Sequence, residues 1–407
     1  MFFDKNYVNN YILDDIYIYL WYDYNNEDDD MKRRGVIDKS LMLCIMILTI
    51  FGLIMILSAS SMESYMRYNY SIYHYFFRQL IFVMLGLFIY IIILFIPTKV
   101  FKKLSWLGVL GVLISLIGLM LYGYMANNAR SWFSIGPFRI QPSEFAKIFI
   151  IMYMAGYYEK NKNKLNNLLT LLTPILIIIA IFILVVLQPD LGTALLIMLL
   201  TIFIFFAVPM PKEQRNLVNK ICLSVILVIS AIMVVTRGSF LRSYQLDRFN
   251  FLKPCERYQE DTGYQLCNSF IAFKNGGVMG KGIGESTQKY LYLPESYTDF
   301  IFPIIVEEWG LVVGLLVLGI YSFMAIKILN IARSTDNIGN SLLAYGVFIY
   351  FILHIIINLI GVMGLAPLTG VPLPFLSYGG SYCLSLFIAM GLVQRVNIES
   401  TRKKKAK

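Results

Sequence analysis

The stretch YLPESYTDFIFPIIVEEWG, residues 292–310, sets acidic side chains at the start of a long apolar run. Asp299 stands directly before this run, and Glu307 with Glu308 interrupts it a few turns later. On one continuous helix the two glutamates would lie about 12–14 Å beyond Asp299, well inside a membrane. A charge at that depth costs several kcal/mol unless a partner compensates it. The stretch therefore predicts a membrane helix whose acids are paired or functional.

The composition is that of an integral membrane protein. Of the 407 residues, 58% are hydrophobic and only 15% are charged, and the mean hydropathy is +0.66. A soluble domain carries about 25% charged residues. The net charge of +10 is assigned to loops that set membrane orientation, and no nucleic-acid partner is expected. The five cysteines and two histidines form no CxxC or Cys/His cluster, so no zinc site is expected.

Ten apolar stretches approach the length of about 20 residues that a spanning helix needs. They predict an all-α polytopic membrane protein with about ten transmembrane helices and one long extracytoplasmic loop. The predicted spans are 41–60, 78–97, 104–124, 143–158, 168–187, 191–209, 217–236, 301–326, 340–365 and 376–395.

Lys and Arg concentrate in the even-numbered turns and in the C-terminal tail. Because cytoplasmic loops carry the excess of these residues, both termini are expected in the cytoplasm and the polar segment 237–300 outside. The domains expected are a cytoplasmic extension (1–37), a ten-helix membrane domain (38–397) and a basic cytoplasmic tail (398–407). A basic cluster follows Met31. A start at Met31 should therefore keep orientation and activity, which would make residues 1–30 dispensable.

Several polar residues near predicted helix ends allow a structural or a functional interpretation. Glu144 and Lys147 are three residues apart, so they share a helical face and can form a structural pair. Asp190 precedes an apolar helix and is a good N-cap. Asp299 allows the same interpretation. Glu307 and Glu308 fit it less well, since an acid inside a membrane is paired or functional by default.

The segment GLAPLTGVPLPFLSYGGS, residues 364–381, breaks a helix near the outer surface. Irregular backbone at that depth is tolerated only beside protein or a water-filled cavity, so an outward-facing cleft is expected. Backbone amides near Ser377, Gly379 and Gly380 could bind an anion there. The long outer segment adds basic residues that could hold a phosphate, namely Arg237, Arg242, Arg248, Lys274, Lys281 and Lys289. An acid beside such cations suits group transfer from a lipid pyrophosphate.

From about Asp38 to Arg395 the chain resembles the SEDS family (shape, elongation, division and sporulation), the membrane peptidoglycan polymerases that include FtsW, RodA and SpoVE. The resemblance rests on several long motifs in the family's order. They are ILSASS, RSWFSIGPFRIQPSEFAK, QPDLGTAL, the run from GYQLCNSF to IIVEEWG, and GLAPLTGVPLPFLSYGGS. The run GESTQKYLYLPE is more similar to the division and sporulation branch. Tyr297 and Cys255 depart from the family's usual His and aromatic residues.

The resemblance implies polymerisation of lipid II on the outer face of the bacterial cytoplasmic membrane, with Asp299 as the catalytic base. It implies a class B penicillin-binding protein as partner, together with other divisome or elongasome membrane proteins. A divalent cation such as Mg²⁺ could sit at the pyrophosphate, although no ligand cluster requires it. The residues expected to bind substrate are Arg130, Glu144, Lys147, Gln188, Asp190, Arg248, Lys281, Gln288, Glu307, Ser377, Gly379 and Gly380.

A lipid II transporter is the alternative function. Its working residues would be the intramembrane charges Glu144, Lys147, Glu307 and Glu308. A scaffold that only activates a transpeptidase is a third hypothesis. Polymer formation by purified protein from lipid II separates the enzyme from the other two.

Overall fold

The computed structural model describes residues 35–126, 129–136, 138–220 and 251–406. The first 34 residues, most of the predicted span 217–236, and Arg248 lie outside this part of the chain. The helices are α1 (Lys39–Tyr68), α2 (His74–Phe95), α3 (Thr98–Tyr122), α4 (Pro142–Lys160), α5 (Leu168–Leu187), α6 (Leu191–Ala207), α7 (Asp261–Gly276), α8 (Ile301–Arg333), α9 (Ile338–Val362) and α10 (Gly380–Ala406). Residues 212–220 are also helical.

Within the described residues, seven helices are long and apolar enough to cross a membrane, and α6 is a shorter apolar helix. Every predicted span except 217–236 coincides with a described helix. Large apolar side chains such as Phe88 and Ile114 stay exposed on the outside of the bundle, where lipid tails would cover them. The polytopic helical fold is therefore confirmed.

The centre of the bundle is formed by α9 and α10. In the most apolar stretch of each helix, 67% of α9 and 72% of α10 is buried inside the protein. Helix α10 packs closely against α2, because a Cβ at Gly86 would stand 2.4 Å from the Phe387 ring. Small residues let membrane helices approach in this way.

A small three-stranded antiparallel sheet lies between α3 and α4, and the all-α expectation did not include it. Its strands are β1 (Tyr124–Ala126), β2 (Ala129–Ile135) and β3 (Phe138–Ile140), in the order β1-β2-β3. Ile135 pairs with Phe138 across the second turn, where Gly136 has a φ of +58°. The sheet delivers the chain to the start of α4, where Pro142 occupies the first turn.

The described part of the long polar segment, residues 251–300, is folded against the bundle. Helix α7 packs on α8, and Ser269 Oγ donates to the carbonyl of Val362 at 2.8 Å. A disulfide joins Cys255 to Cys267 on α7. Among the described residues the remaining cysteines, Cys44 and Cys383, are free thiols.

Helix α8 is interrupted at Gly310, whose φ of 84° and ψ of 169° are not helical. The polar segment 251–300 lies against this break, since Leu311 N donates to Gly277 O at 3.0 Å. A Cβ at Gly310 would stand 2.3 Å from the carbonyl oxygen of Val278, so only glycine fits this approach. The part of α8 before Gly310 is thus separate from the span that follows.

Candidate active site

Asp299 lies at the turn that leads into α8, and it is half-buried. The N-cap position of α8 is Phe300 rather than Asp299. A Cβ built on Gly370 would stand 3.3 Å from Asp299 Oδ2, so the carboxylate lies beside the proline-rich segment 364–379. The amide of Tyr378 also donates to the carbonyl of Tyr297 at 2.9 Å. Two distant parts of the chain therefore meet at the acid.

Asp190 stands at the start of α6, which packs against the same segment. It caps α6, as its position predicts, through a bond from Thr193 N to Oδ1 at 3.1 Å. Its second oxygen accepts from Gln141 Nε2 at 3.0 Å. Gly192 packs against the carbonyl of Thr369, which a Cβ would approach to 2.2 Å. The helix that Asp190 caps and the Asp299 carboxylate thus both lie against residues 369–370.

Glu144 and Lys147 form a buried cluster with His354. Lys147 Nζ donates to Glu144 Oε1 at 2.8 Å and lies 3.1 Å from His354 Nε2. The other ring nitrogen of His354 lies 3.2 Å from the carbonyl of Pro372. Glu144 is 4% exposed, and Lys147 and His354 are fully buried. The paired interpretation of Glu144 and Lys147 therefore fits the geometry, and their contact with substrate stays a prediction.

Glu307 is held by the outer segment 275–288. Its Oε1 accepts from Asn275 Nδ2 at 2.9 Å, from Thr287 Oγ1 at 2.8 Å and from Lys281 Nζ at 3.3 Å. Its Oε2 accepts from the hydroxyl of Ser286 and from Gln288 N. The carboxylate therefore organises the segment that precedes Asp299.

Glu308 belongs to a second cluster that reaches α1. Its Oε1 accepts from Lys289 Nζ at 3.0 Å and from Ser58 Oγ at 2.6 Å. At the start of α1, the N-cap residue Asp38 pairs with Lys327 of α8 at 3.3 Å. Asp38 and Ser58 are about 30 Å apart along a helix, which is the thickness of the hydrocarbon core.

The helix geometry behind the depth expected for Glu307 and Glu308 differs in the structure. That expectation assumed a continuous helix, whereas Gly310 interrupts α8 directly after the glutamates. Large exposed apolar side chains on α8 begin only at Leu311 and continue to Ile326. The two acids precede this exposed apolar stretch, with Lys281 and Lys289 as counter-charges.

The other predicted substrate-binding residues occupy several places. Ser377 Oγ accepts from Leu373 N at 2.8 Å, and Gly379 N donates to Gln79 Oε1 at 3.1 Å. Gly380 packs on the Phe82 ring. Gln188 Nε2 donates to the carbonyl of Leu116 at 2.9 Å. The side chain of Arg130 is outside what the structure describes.

Three tyrosines meet beside the site, and of these only Tyr75 was not singled out from the sequence. Tyr75, Tyr297 and Tyr378 form a cluster with ring centroids 4.7–5.6 Å apart. Burial raises the pKa of Tyr297 and of Tyr378 above the usual value for tyrosine, so both are neutral phenols at neutral pH. Arg78 and Arg139 lie near the Tyr378 hydroxyl. Tyr75 is more than 200 residues away from the other two in the sequence, so no local signal connects it to them.

A family model described as "Cell cycle protein", for FtsW, RodA and SpoVE, matches residues 38–402. This chain belongs to the FtsW/RodA/SpoVE family. It is 37% identical over 366 residues to a Bacillus subtilis (strain 168) protein named "Probable peptidoglycan glycosyltransferase FtsW". That match covers 89% of this chain and 90% of the relative.

Two solved members of the family's fold are similar to this structure. One belongs to work on the structural coordination of polymerization and crosslinking by a peptidoglycan synthase complex. It has a TM-score of 0.70 and 23% identity, and covers 90% of this chain and 98% of its own. The rod shape determining protein RodA of Thermus thermophilus has a TM-score of 0.61 and 22% identity, covering 89% and 97%. The FtsW/RodA/SpoVE fold is therefore shared.

The described residues do not offer a dedicated metal site. No group of three or more His, Cys, Asp or Glu side chains that could hold a metal ion occurs among them. The acids instead pair with Lys side chains or accept bonds from amides and hydroxyls.

Replacing Glu307 by Gln should mainly reduce the amount of folded protein. The substitution puts an amide where the carboxylate accepts from several donors, and it leaves Lys281 without its counter-charge. Hydrogen bonds to charged groups contribute about 1.5–3 kcal/mol each, so we expect a loss of about 2 kcal/mol in the free energy of unfolding. Denaturant unfolding of purified protein measures it.

The matched control is Glu285→Gln, which makes the same change on an exposed side chain in the same segment. It should leave the free energy of unfolding within about 0.5 kcal/mol of the parent. Equal stability of the two variants would show that the bonds to Glu307 do not hold the outer segment.

Proposed function

We propose that this chain is a peptidoglycan glycosyltransferase that polymerises lipid II, with the Asp299 carboxylate as general base. The observation that carries the proposal is the position of Asp299, half-buried beside the exposed Gly370 where the outer segment meets residues 364–379. The name of the B. subtilis relative, which matches over 89% of this chain, supports the same activity.

The reaction needs one carboxylate that acts as a base, and a good leaving group. Asp299 takes the proton from the 4-hydroxyl of the acceptor sugar as that oxygen bonds to C1 of the donor sugar. The bond from C1 to the pyrophosphate oxygen breaks, and undecaprenyl pyrophosphate leaves with the electron pair. A positioned base contributes about 10²–10⁴-fold to such a step. Fixed cations stabilise the charge that develops on the leaving group.

Basic side chains are available close to the acid. Arg78 and Arg139 lie near Tyr378, whose amide bonds to the main chain two residues before Asp299. Lys281 and Lys289 are mostly engaged by Glu307 and Glu308, so their expected role in phosphate binding becomes secondary to holding the outer segment. The role of Arg248 in binding substrate stays a prediction.

The proposed location is the bacterial cytoplasmic membrane, with both termini in the cytoplasm. The basic turns and tail of the sequence support this orientation. It puts Asp299, the disulfide between Cys255 and Cys267, and the outer segment on the extracytoplasmic face. Disulfides persist in such oxidising surroundings.

The proposed partner is a class B penicillin-binding protein, with other divisome or elongasome membrane proteins. The similar chain from a peptidoglycan synthase complex, described as coordinating polymerization and crosslinking, supports this partnership. The partner's transpeptidase would crosslink the strands that this chain polymerises.

Purified protein, alone and with its penicillin-binding partner, should convert lipid II in detergent into glycan that a gel resolves. If lipid II stays monomeric in both samples, and the protein moves lipid II across the bilayer of proteoliposomes, the enzyme hypothesis is rejected in favour of the transporter. A partner that gains transpeptidase activity with no polymer formed would favour the scaffold.

A further inference from the structure

Asn358 of α9 joins two segments of the candidate active site. Its side-chain nitrogen donates to Asp299 O at 2.7 Å and to Val371 O at 2.8 Å. A carboxamide nitrogen carries two hydrogens, and both are used here. Carbonyl groups only accept, so the nitrogen rather than the oxygen of Asn358 must face them. One buried side chain, 4% exposed, therefore connects the turn at Asp299 to the segment opposite it.

The Asp299 carboxylate lies against the same segment. A Cβ on Gly370 would stand 3.3 Å from Asp299 Oδ2, and Gly370 has a φ of +70°. One helical turn before Asn358, His354 Nδ1 lies 3.2 Å from the carbonyl of Pro372. Helix α9 thus holds the main chain of Asp299 and also the main chain that its carboxylate faces.

The segment around Gly370 depends on such bonds. Residues 367–373 have no helix or strand, so no regular backbone ladder sets their position. An irregular backbone is fixed by side chains that satisfy its carbonyls. Asn358 is therefore placed to set the distance between the carboxylate and a sugar bound against Gly370.

Given Asp299 as the base of the proposed reaction, we infer that Asn358 is a positioning residue that holds this carboxylate in its reactive place. Asn358 is too buried to touch the sugar, so it acts through Asp299. Its removal should lower kcat and leave the KM for lipid II nearly unchanged, since binding contacts lie elsewhere. A reactive group misplaced by about 1 Å costs up to about 10²-fold in rate.

The test compares Asn358→Ala and Asn358→Ser with the parent, each purified with its penicillin-binding partner and assayed on lipid II. We expect kcat per folded molecule to fall about 10-fold or more in Asn358→Ala. Asn358→Ser, which keeps one hydroxyl donor, should fall less. KM should stay within about threefold of the parent in both, because the substitution does not remove a substrate contact.

A matched control is Asn340→Ala on the same helix. Asn340 is also buried, and its Oδ1 accepts from Thr98 Oγ1 and Lys102 Nζ at 2.8 and 2.6 Å. It lies at the other end of α9, so its loss should lower stability without changing kcat per folded molecule. A kcat of Asn358→Ala equal to that of this control would reject the positioning role.

A double-mutant cycle with Asp299→Asn separates positioning from a general effect on the fold. If Asn358 acts through the acid, Asn358→Ala should cause little further loss in the Asp299→Asn background. The same fold-loss in both backgrounds would overturn the inference while leaving Asp299 as the base. Near-normal activity of Asp299→Asn alone would instead reject the base itself. If neither Asn358 variant yields folded protein, the bonds are structural and the positioning role is rejected.

Discussion

Asp299→Asn should insert normally, bind its penicillin-binding partner and lose at least about 10²-fold in the rate of glycan polymerisation. The amide has the shape of the carboxylate but cannot accept the proton of the acceptor hydroxyl. The bond from Asn358 goes to the main chain of residue 299, so the substitution leaves that contact in place. Gel-resolved glycan from lipid II, with equal amounts of purified protein, measures the loss.

Asp190→Asn is the matched control for this prediction. It makes the same chemical change at the cap of α6, the helix that packs against residues 369–370. Asn caps helices about as well as Asp, so α6 should remain stable. We expect a smaller loss of activity than in Asp299→Asn. Near-normal polymer length and rate from Asp299→Asn would remove it as the base and direct the search to Asp190.

Lys147→Met should lower the free energy of unfolding by about 3–5 kcal/mol, the usual cost of removing one partner from a buried ion pair. Glu144 is 4% exposed, so its carboxylate would be left without a counter-charge where water cannot reach it. His354 Nε2 would also lose its donor. Unfolding in denaturing detergent, together with the yield of membrane-inserted protein, measures the effect.

The control for Lys147→Met is Lys160→Met, the same change at an exposed position of the same helix. It should stay within about 0.5 kcal/mol of the parent. Combining Lys147→Met with Glu144→Gln should recover most of the loss, because both charges are then gone. Equal instability of the single and double variants would show that the charge of Glu144 is not what destabilises Lys147→Met.

Exchanging the two charges should recover less than neutralising both. In the parent, His354 Nδ1 faces the carbonyl of Pro372 and Nε2 faces the ammonium of Lys147. Nδ1 must therefore carry the proton, and Nε2 accepts. A carboxylate at position 147 would face that acceptor. If the exchange restores folded protein yet polymerisation stays absent, one of the two residues contacts substrate.

Features that depend only on neighbouring residues could be predicted from the sequence. A spanning helix needs only enough consecutive apolar residues, and the span predicted at 168–187 coincides with α5. The N-cap at Asp190 was equally predictable, because its bond goes to Thr193 on the next turn. The pairing of Glu144 with Lys147 follows from a spacing of three residues. The acid Asp299 came from its motif, and its role as base remains a proposal.

Which distant segments meet could not be predicted from the sequence and depends on how the helices pack. The break at Gly310 accommodates the approach of residues 277–280, so a continuous helix was the natural prediction from the local sequence. The hydrogen-bond donors to the Glu307 carboxylate come from residues 19–32 positions earlier in the chain. Asn358 and His354, two polar residues of an apolar helix, hold residues 371–372. Hydrogen bonds across such separations depend on the packing of whole helices, which local composition does not encode.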